Sequence, residues 1–489
     1  MMLQIDNAKI LKGTKFWILP LIIVIGMFAC KQPTPKSIFQ KPNIILIMTD
    51  DQGWYDVGFN GNSKIKTPCL DSLAANGIIL DRFYSASAVC SPTRASLITG
   101  RNSLRMDIPY ANTGHLKEEE ITIPEILQKE GYVTGHFGKW HLGTLTKQVP
   151  DANRGGKAEF TDDYSIPSEH GYDEYFSTES KVPTYDPMIL PSVFEEGESK
   201  RYGWRSIENQ ESTKAYGTAY WNGENQKVSK NLKGDDSRII MDRVIPFIDD
   251  SYKANKPFFT TIWFHTPHLP VVSDSIHRGH YSNLDLPEQI YYGTLTAMDE
   301  QIGRLWKKLK ENELDKNTII FFCSDNGPEF KTPGSAGVFR GQKRSLYEGG
   351  VRVPAFVVWK DHLKGGMRKD FPAVTSDYMP TILDILDIEY PDNRPIDGTS
   401  ILDALVDNET EREKPIGFIC EPHISWVTQQ YKLIGDLENG NYELYDILND
   451  KSEKKNIAEQ NQELTNQLIQ DLSNWKASVE NSNKGIDYN

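Results

Sequence analysis

The run Asn43-Ile44-Ile45-Leu46-Ile47-Met48 constrains the fold more than any other stretch of this chain, and it ends abruptly in Thr49-Asp50-Asp51. A strand with one face in water alternates apolar and polar residues. A strand with no polar position is covered on both faces, as in a parallel sheet between two layers of helices. The pattern then repeats as helix and strand. Helices are expected at Pro68–Asn76, from Pro92 with Ser91 as N-cap, at 121–130, at 237–250 and at Leu286–Glu311. Strands are expected at 132–136, 257–264, Thr318–Ser324 and 353–359. The alternation predicts an α/β domain with a largely parallel central sheet over residues 41–390.

Residues 145–235 break that rhythm. They are polar, turn-rich and aromatic (Tyr164, Tyr172, Tyr175, Phe176, Tyr185, Tyr202, Trp204, Tyr216, Tyr220, Trp221), and read as an elaboration over the active face. The aromatics are either ordinary packing or sugar-stacking walls with Arg205 or His170 at the rim. After 390 the pattern changes again. Short strands at 415–420, 426–434 and 442–445 precede a helix at 461–479, an α+β subdomain spanning 391–480. Residues 481–489 read as a frayed tail.

The N-terminus is not part of this fold. Lys9, Lys12 and Lys15 precede an apolar run from Phe16 to Phe28, then Ala29-Cys30 and a polar, Pro-rich linker at 30–40. The run is short for a membrane span and suits the h-region of a signal peptide at 1–29. A small residue before Cys30 resembles a bacterial lipobox, so the expected mature protein is lipidated at Cys30 and held at the cell envelope, at the outer membrane facing the periplasm. An ordinary cleaved signal and an uncleaved anchor are the alternatives. The remaining Cys69, Cys90, Cys323 and Cys420 are too few for a disulfide framework, and no disulfide is expected. A net charge of -14 argues against nucleic-acid binding. It leaves room for one small anion held by a local cation cluster.

Two constellations carry chemistry. Asp50-Asp51 and Asp325-Asn326 each follow a strand, and oxygen-only ligands select a hard cation such as calcium or magnesium. Asp and Asn are also ordinary turn residues at strand ends. In the second, Cys90 precedes a helix N-terminus, where free amides favour a thiolate or a bound anion, and Arg94 sits one turn in. That pattern fits a nucleophile at an anion site, or a small residue packed before a helix.

Cys90-Ser91-Pro92-Thr93-Arg94, followed by Ala95-Ser96-Leu97-Ile98-Thr99-Gly100-Arg101, resembles the signature of the type I sulfatases, whose cysteine is oxidised to formylglycine. Residues 43–51, Gly138-Lys139-Trp140-His141-Leu142-Gly143, Thr266-Pro267-His268-Leu269-Pro270, Ser324-Asp325-Asn326-Gly327-Pro328-Glu329, Lys343 in its Gly-rich segment, and Tyr445-Asp446 with Asn456 resemble further family motifs, in order, from about 40 to 460. The resemblance implies an alkaline-phosphatase-like fold and hydrolysis of sulfate esters. It implies a calcium ion (magnesium as the alternative) held by Asp50, Asp51, Asp325, Asn326 and the residue made from Cys90. Arg94, Lys139 and Lys343 would offset sulfate charge. His268 and Lys343 would help protonate the leaving alcohol, and His141 would act as base on the hydrate so that sulfate is expelled.

A formylglycine-generating or anaerobic sulfatase-maturating enzyme is then a required partner. The expected substrate is a sulfated oligosaccharide, from an algal polysaccharide such as ulvan or carrageenan first and a host glycosaminoglycan second. The rival readings are a phosphomonoester or phosphonate-ester hydrolase of the same superfamily, and a non-catalytic lipoprotein that binds sulfated glycans.

Overall fold

The computed structural model describes residues 41–191, 214–330, 332–406 and 411–488. The leader with Cys30, and Tyr202, Trp204 and Arg205, lie outside the described residues. In chain order the elements are β1 (Asn43–Thr49), α1 (Pro68–Asn76), β2 (Ile78–Leu80), β3 (Phe83–Tyr84), α2 (Cys90–Thr99), α3 (Ile123–Lys129), β4 (Val133–Lys139), β5 (Glu174–Thr178), α4 (Asp236–Lys253), β6 (Phe258–Trp263), α5 (Ser275–Gly279) and α6 (Leu286–Glu311). They continue with β7 (Thr318–Ser324), α7 (Glu348–Val351), β8 (Phe356–Trp359), β9 (Met367–Lys369), β10 (Ala373–Val374), α8 (Tyr378–Ile385), α9 (Leu402–Val406), β11 (Ile416–Cys420), β12 (His423–Val427), β13 (Tyr431–Asp436), β14 (Asn441–Asp446) and α10 (Gln462–Asn483).

The main sheet has eight strands in the order β5-β4-β6-β1-β7-β8-β2-β9. From β5 to β7 all neighbours run parallel, while β8 is antiparallel to both β7 and β2. β1 sits near the centre, and its apolar run is explained by both faces. Ile44, Leu46 and Met48 enter one core with Ala95, Leu97 and Ile98 of α2. Ile45 and Ile47 enter the other with residues of α4 and α6. Each such isoleucine, fully buried, contributes about 1.5–3 kcal/mol relative to exposure.

Three expectations are corrected. The 145–235 stretch is not only a surface elaboration, because it contributes β5, the edge strand of the main sheet. Tyr172, Tyr175, Phe176, Tyr220 and Trp221 are core residues, and His170 is buried against Trp140 with Nε2 2.7 Å from Ser165 Oγ. Packing therefore accounts for these aromatics, and His170 does not reach a rim. The 426–434 run is a hairpin: β12 and β13 join through a turn in which the Tyr431 N–H donates to Thr428 Oγ1 at 2.9 Å. Gln429 and Gln430 are not typical turn residues, so hydropathy ran straight through it.

The tail is docked rather than frayed. Arg101 Nη2 donates to Asp487 Oδ2 at 2.6 Å, and Tyr488 Oη donates to Glu120 Oε1 at 2.5 Å. Those partners lie 386 and 368 positions away, beyond the reach of local pattern.

The four strands β11 to β14 form an antiparallel sheet in sequence order. One face takes Leu468, Leu472 and Val479 of α10, and the other meets Tyr84, Val351 and Val374 of the main domain. No described helix is long and apolar enough to cross a membrane.

Candidate active site

β1 and β7 are parallel neighbours in register to their last residues, Thr49 beside Ser324. Their acidic extensions therefore emerge side by side. The Asp325 N–H donates to Thr49 O at 3.1 Å, and the Asp51 N–H to Asp325 Oδ1 at 3.1 Å. Asp51 adopts φ 65, the left-handed turn that lets adjacent acids converge. Asn326 Nδ2 donates to Asp51 Oδ1 at 2.7 Å. All four side chains are buried.

Such carboxylates are expensive without counter-charge. Lys139, the last residue of β4, places Nζ 2.7 Å from Asp50 Oδ2. Lys343 reaches Asp51 Oδ1 at 2.5 Å and Oδ2 at 2.7 Å. Arg94 of α2 donates from Nε and Nη2 to Asp325 Oδ2 at 3.1 and 2.6 Å, with its guanidinium over Trp263. Three carboxylates thus face three cations. Burial would raise the Asp51 carboxyl, but Lys343, then His268 and Lys139, hold it well below the usual range. Burial, with Asp50, pushes Asp325 up to about 6 against Arg94 and Lys139.

The residues fit a hard divalent cation. Asp50 Oδ1 and Asn326 Oδ1 are buried with no hydrogen-bond partner among the described residues. Ligand atoms of Asp50, Asp51, Cys90 and His268 all lie within 4.8 Å of one another. Because the protein charges already balance, a divalent cation would leave the site positive overall, as an anionic ester requires. The expected role of Arg94 shifts on this geometry. Its guanidinium is wholly buried and spent on Asp325 and the Lys139 carbonyl, so it orients a carboxylate rather than facing an anion.

Cys90 is the first residue of α2, with Val89 as N-cap and no side-chain cap, so the helix begins earlier than the expected Ser91 N-cap. The thiol is buried. Burial pushes it up to about 12, with Asp325 and Asp50 adding to the effect against Lys139 and Lys343. The expected thiolate is therefore not the resting form of an unmodified Cys90.

His268 sits at the mouth, 13% exposed, with Nε2 3.6 Å from Asp51 Oδ2 and Nδ1 2.6 Å from Leu269 O. Burial drives its ring well below 6.5 despite Asp51. His141 lies beyond Lys139, its N–H donating to Glu179 O at 2.8 Å. Burial, then Lys139 and Arg94, keep it neutral. His265 is structural, held between Asp236 Oδ2 at 2.8 Å and Thr178 Oγ1 at 2.7 Å. His136 packs against Trp140 and Trp263.

Sequence reasoning missed three neighbours. Asn112 meets His141 Nε2 at 2.8 Å. Glu329 clamps Arg344 with contacts of 2.7 and 2.9 Å beside Lys343. Lys181 is an exposed cation with no ion pair or hydrogen bond among the described residues, within electrostatic reach of Lys139, Lys343, Asp51 and Cys90. Only the Glu329 signal, an acid just past Asp325-Asn326, was open to local reading.

A covered parallel sheet, an oxygen-rich cation site at its carboxyl ends and a helix-borne cysteine define an alkaline-phosphatase-like hydrolase of oxyanion esters. The Sulfatase family profile matches residues 42–388, and the profile described as N-sulphoglucosamine sulphohydrolase, C-terminal, matches 334–478. The chain belongs to the sulfatase family and is a sulfuric ester hydrolase.

It is 28% identical to the N-acetylgalactosamine-6-sulfatase of Rattus norvegicus over 414 residues, 80% of this chain and 69% of that one. It is 28% identical to arylsulfatase G of Mus musculus over 395 residues, 76% of this chain and 70% of that one. Among solved structures, Ps i-CgsB in complex with k-i-k-neocarrahexaose is similar with a TM-score of 0.76 and 26% identity, covering 92% of this chain and 98% of that one. The phosphonate monoester hydrolase of Agrobacterium radiobacter shares the fold at a TM-score of 0.62 and 18% identity, covering 90% and 96%.

Proposed function

We propose that this sulfatase removes sulfate from sulfated oligosaccharides, with fragments of an algal polysaccharide such as carrageenan or ulvan as the first class to test and glycosaminoglycan fragments second. The observation that carries the reading is the charge-balanced acidic site beside Cys90 and α2. Support for the substrate class comes from the likeness, over most of both chains, to a protein solved with k-i-k-neocarrahexaose.

In this reading a maturation enzyme, formylglycine-generating or anaerobic sulfatase-maturating, converts Cys90 to formylglycine, whose hydrate supplies the attacking hydroxyl. Asp50, Asp51, Asp325 and Asn326 hold a calcium ion, which supplies charge stabilisation to sulfate oxygens. Lys139 and Arg94 keep two of those carboxylates ionised and oriented. Lys343 and His268, at the mouth, bind the sulfate and hold the proton for the departing alcohol oxygen. His141, neutral in its buried setting, takes the hydrate proton. The protein is lipid-anchored through Cys30 and faces the periplasm; loss of palmitate labelling in Cys30→Ser tests this.

The deciding experiment is sulfate release from defined oligosaccharides of all three classes. The enzyme is co-produced with its maturation enzyme, the mass of the Cys90 peptide is checked, and a matched phosphate ester is included. Release from at least one sulfated sugar, lost in Cys90→Ala, is expected. No sulfate release with the aldehyde confirmed, or preference for the phosphate ester, refutes the reading.

A further inference from the structure

His141 makes one side-chain hydrogen bond among the described residues, from Nε2 to Asn112 Oδ1 at 2.8 Å. An amide oxygen only accepts, so Nε2 carries the proton and the lone pair of the neutral ring lies on Nδ1. Nδ1 is buried and has no partner among the described residues. We infer that Asn112 is a positioning residue for the base: it fixes the tautomer and the orientation of His141, so that Nδ1 is the atom that accepts the proton. The inference rests on the assignment of His141 as base.

The surroundings are shaped to hold this pair. His141 and Asn112 both adopt left-handed backbone, φ 60 and 59, which a non-glycine residue holds only where neighbours impose it. The Asn112 N–H donates to Ser91 Oγ at 3.4 Å, next to Cys90, and the Leu116 N–H donates to Leu142 O at 2.7 Å, next to His141. The loop is thereby pinned to both chemical segments. Between these anchors the chain turns tightly at Gly114, φ 71, where a Cβ would come within 2.1 Å of Asp107 O. Gly114 O accepts from Arg154 Nη1 at 2.9 Å. Asn112 itself is exposed and fills no core position, so packing does not account for a constrained residue there.

The test uses full-length matured enzyme and a sulfate ester that it hydrolyses. Asn112→Ala is expected to lower kcat about 10- to 100-fold with KM within about threefold, because the ring can adopt the wrong tautomer. Asn112→Asp keeps an acceptor for Nε2–H. It is expected to retain kcat within about fivefold and to move the acidic limb of the pH profile upward by about one unit, since a carboxylate stabilises imidazolium. An unchanged kcat in Asn112→Ala, a rise in KM alone, or an Asp variant as impaired as the Ala variant would overturn the inference. Parallel data on His141→Ala separate the two levels. If His141→Ala loses activity and Asn112→Ala does not, only the positioning role fails; if His141→Ala stays active, the base assignment fails and the positioning role with it.

Discussion

Replacing Lys432 by methionine tests how the small sheet is fastened to the catalytic domain. Lys432, in β13, is wholly buried, with Nζ 2.8 Å from Glu348 Oε1 and 3.2 Å from Glu453 Oε1. Glu348 also receives Arg352 Nη1 and Tyr84 Oη, each at 3.1 Å, and the Glu348 N–H donates to Glu453 Oε2 at 2.7 Å. Burial would raise the Glu348 carboxyl, but Lys432 and Arg352 bring it below its usual range. Glu453 is pushed up to about 7 by burial, with Glu348 adding and Lys432 opposing.

Without Lys432, one carboxylate must take a proton. Starting from the ordinary glutamate value of 4.5, protonation costs about 3.4 kcal/mol at pH 7 and about 1.4 kcal/mol at pH 5.5. Glu453 already carries part of a proton near pH 7, so the expected loss there is about 2–3 kcal/mol. This is somewhat under the usual ~3–5 kcal/mol for breaking a buried pair. The sign follows from linkage. The folded variant holds a proton that the unfolded chain has released above 4.5. The stability of the variant therefore falls as pH rises, and its gap to wild type widens. Guanidinium denaturation followed by tryptophan fluorescence at the two pH values reads this gap. A loss that is equal at both, or below about 0.5 kcal/mol at pH 7, would refute the ion-network account.

Chelation is expected to abolish sulfate release while leaving the protein folded, because Asp50, Asp51 and Asp325 keep Lys139, Lys343 and Arg94 as counter-charges. Calcium should restore activity better than magnesium; full activity in enzyme shown by elemental assay to lack metal would exclude the metal site. Lys181→Ala should raise KM about 3- to 10-fold at low salt with kcat within about twofold, as befits an exposed cation near an anion site. A KM that stays at the wild-type value in low salt would remove Lys181 from the site.

What could be read in advance divides along a physical line. The main helices and strands were visible because one hydrophobic period persists through each, as in Leu286–Glu311 and Thr318–Ser324, both found at the expected bounds. The antiparallel turn of β8, the hairpin at Thr428–Gln430 and the docking of Asp487 and Tyr488 depend on partners far away in sequence. Cys90 shows the same limit in its chemistry. Local reading placed it before a helix dipole and a cation, which favours a thiolate, whereas the fold surrounds it with apolar burial and two carboxylates, which do not.

The site itself was legible for a reason of cost. Carboxylates at the ends of two central strands are buried by the same layers that make the strands apolar, and buried charge persists only where counter-charges or a cation repay desolvation. Asp50-Asp51 and Asp325-Asn326 therefore announced that lysines and an arginine had to converge on them, and Lys139, Lys343 and Arg94 do. Asn112 and Lys181 obey no such constraint. Each is a polar residue at an exposed position, where nearly any side chain is tolerated energetically, and only the folded approach of its loop to His141 or Lys139 gives it a task. The residues that hold charge in the interior are thus written into the sequence by their expense, and those that orient a base or meet the substrate at the mouth become visible only in three dimensions.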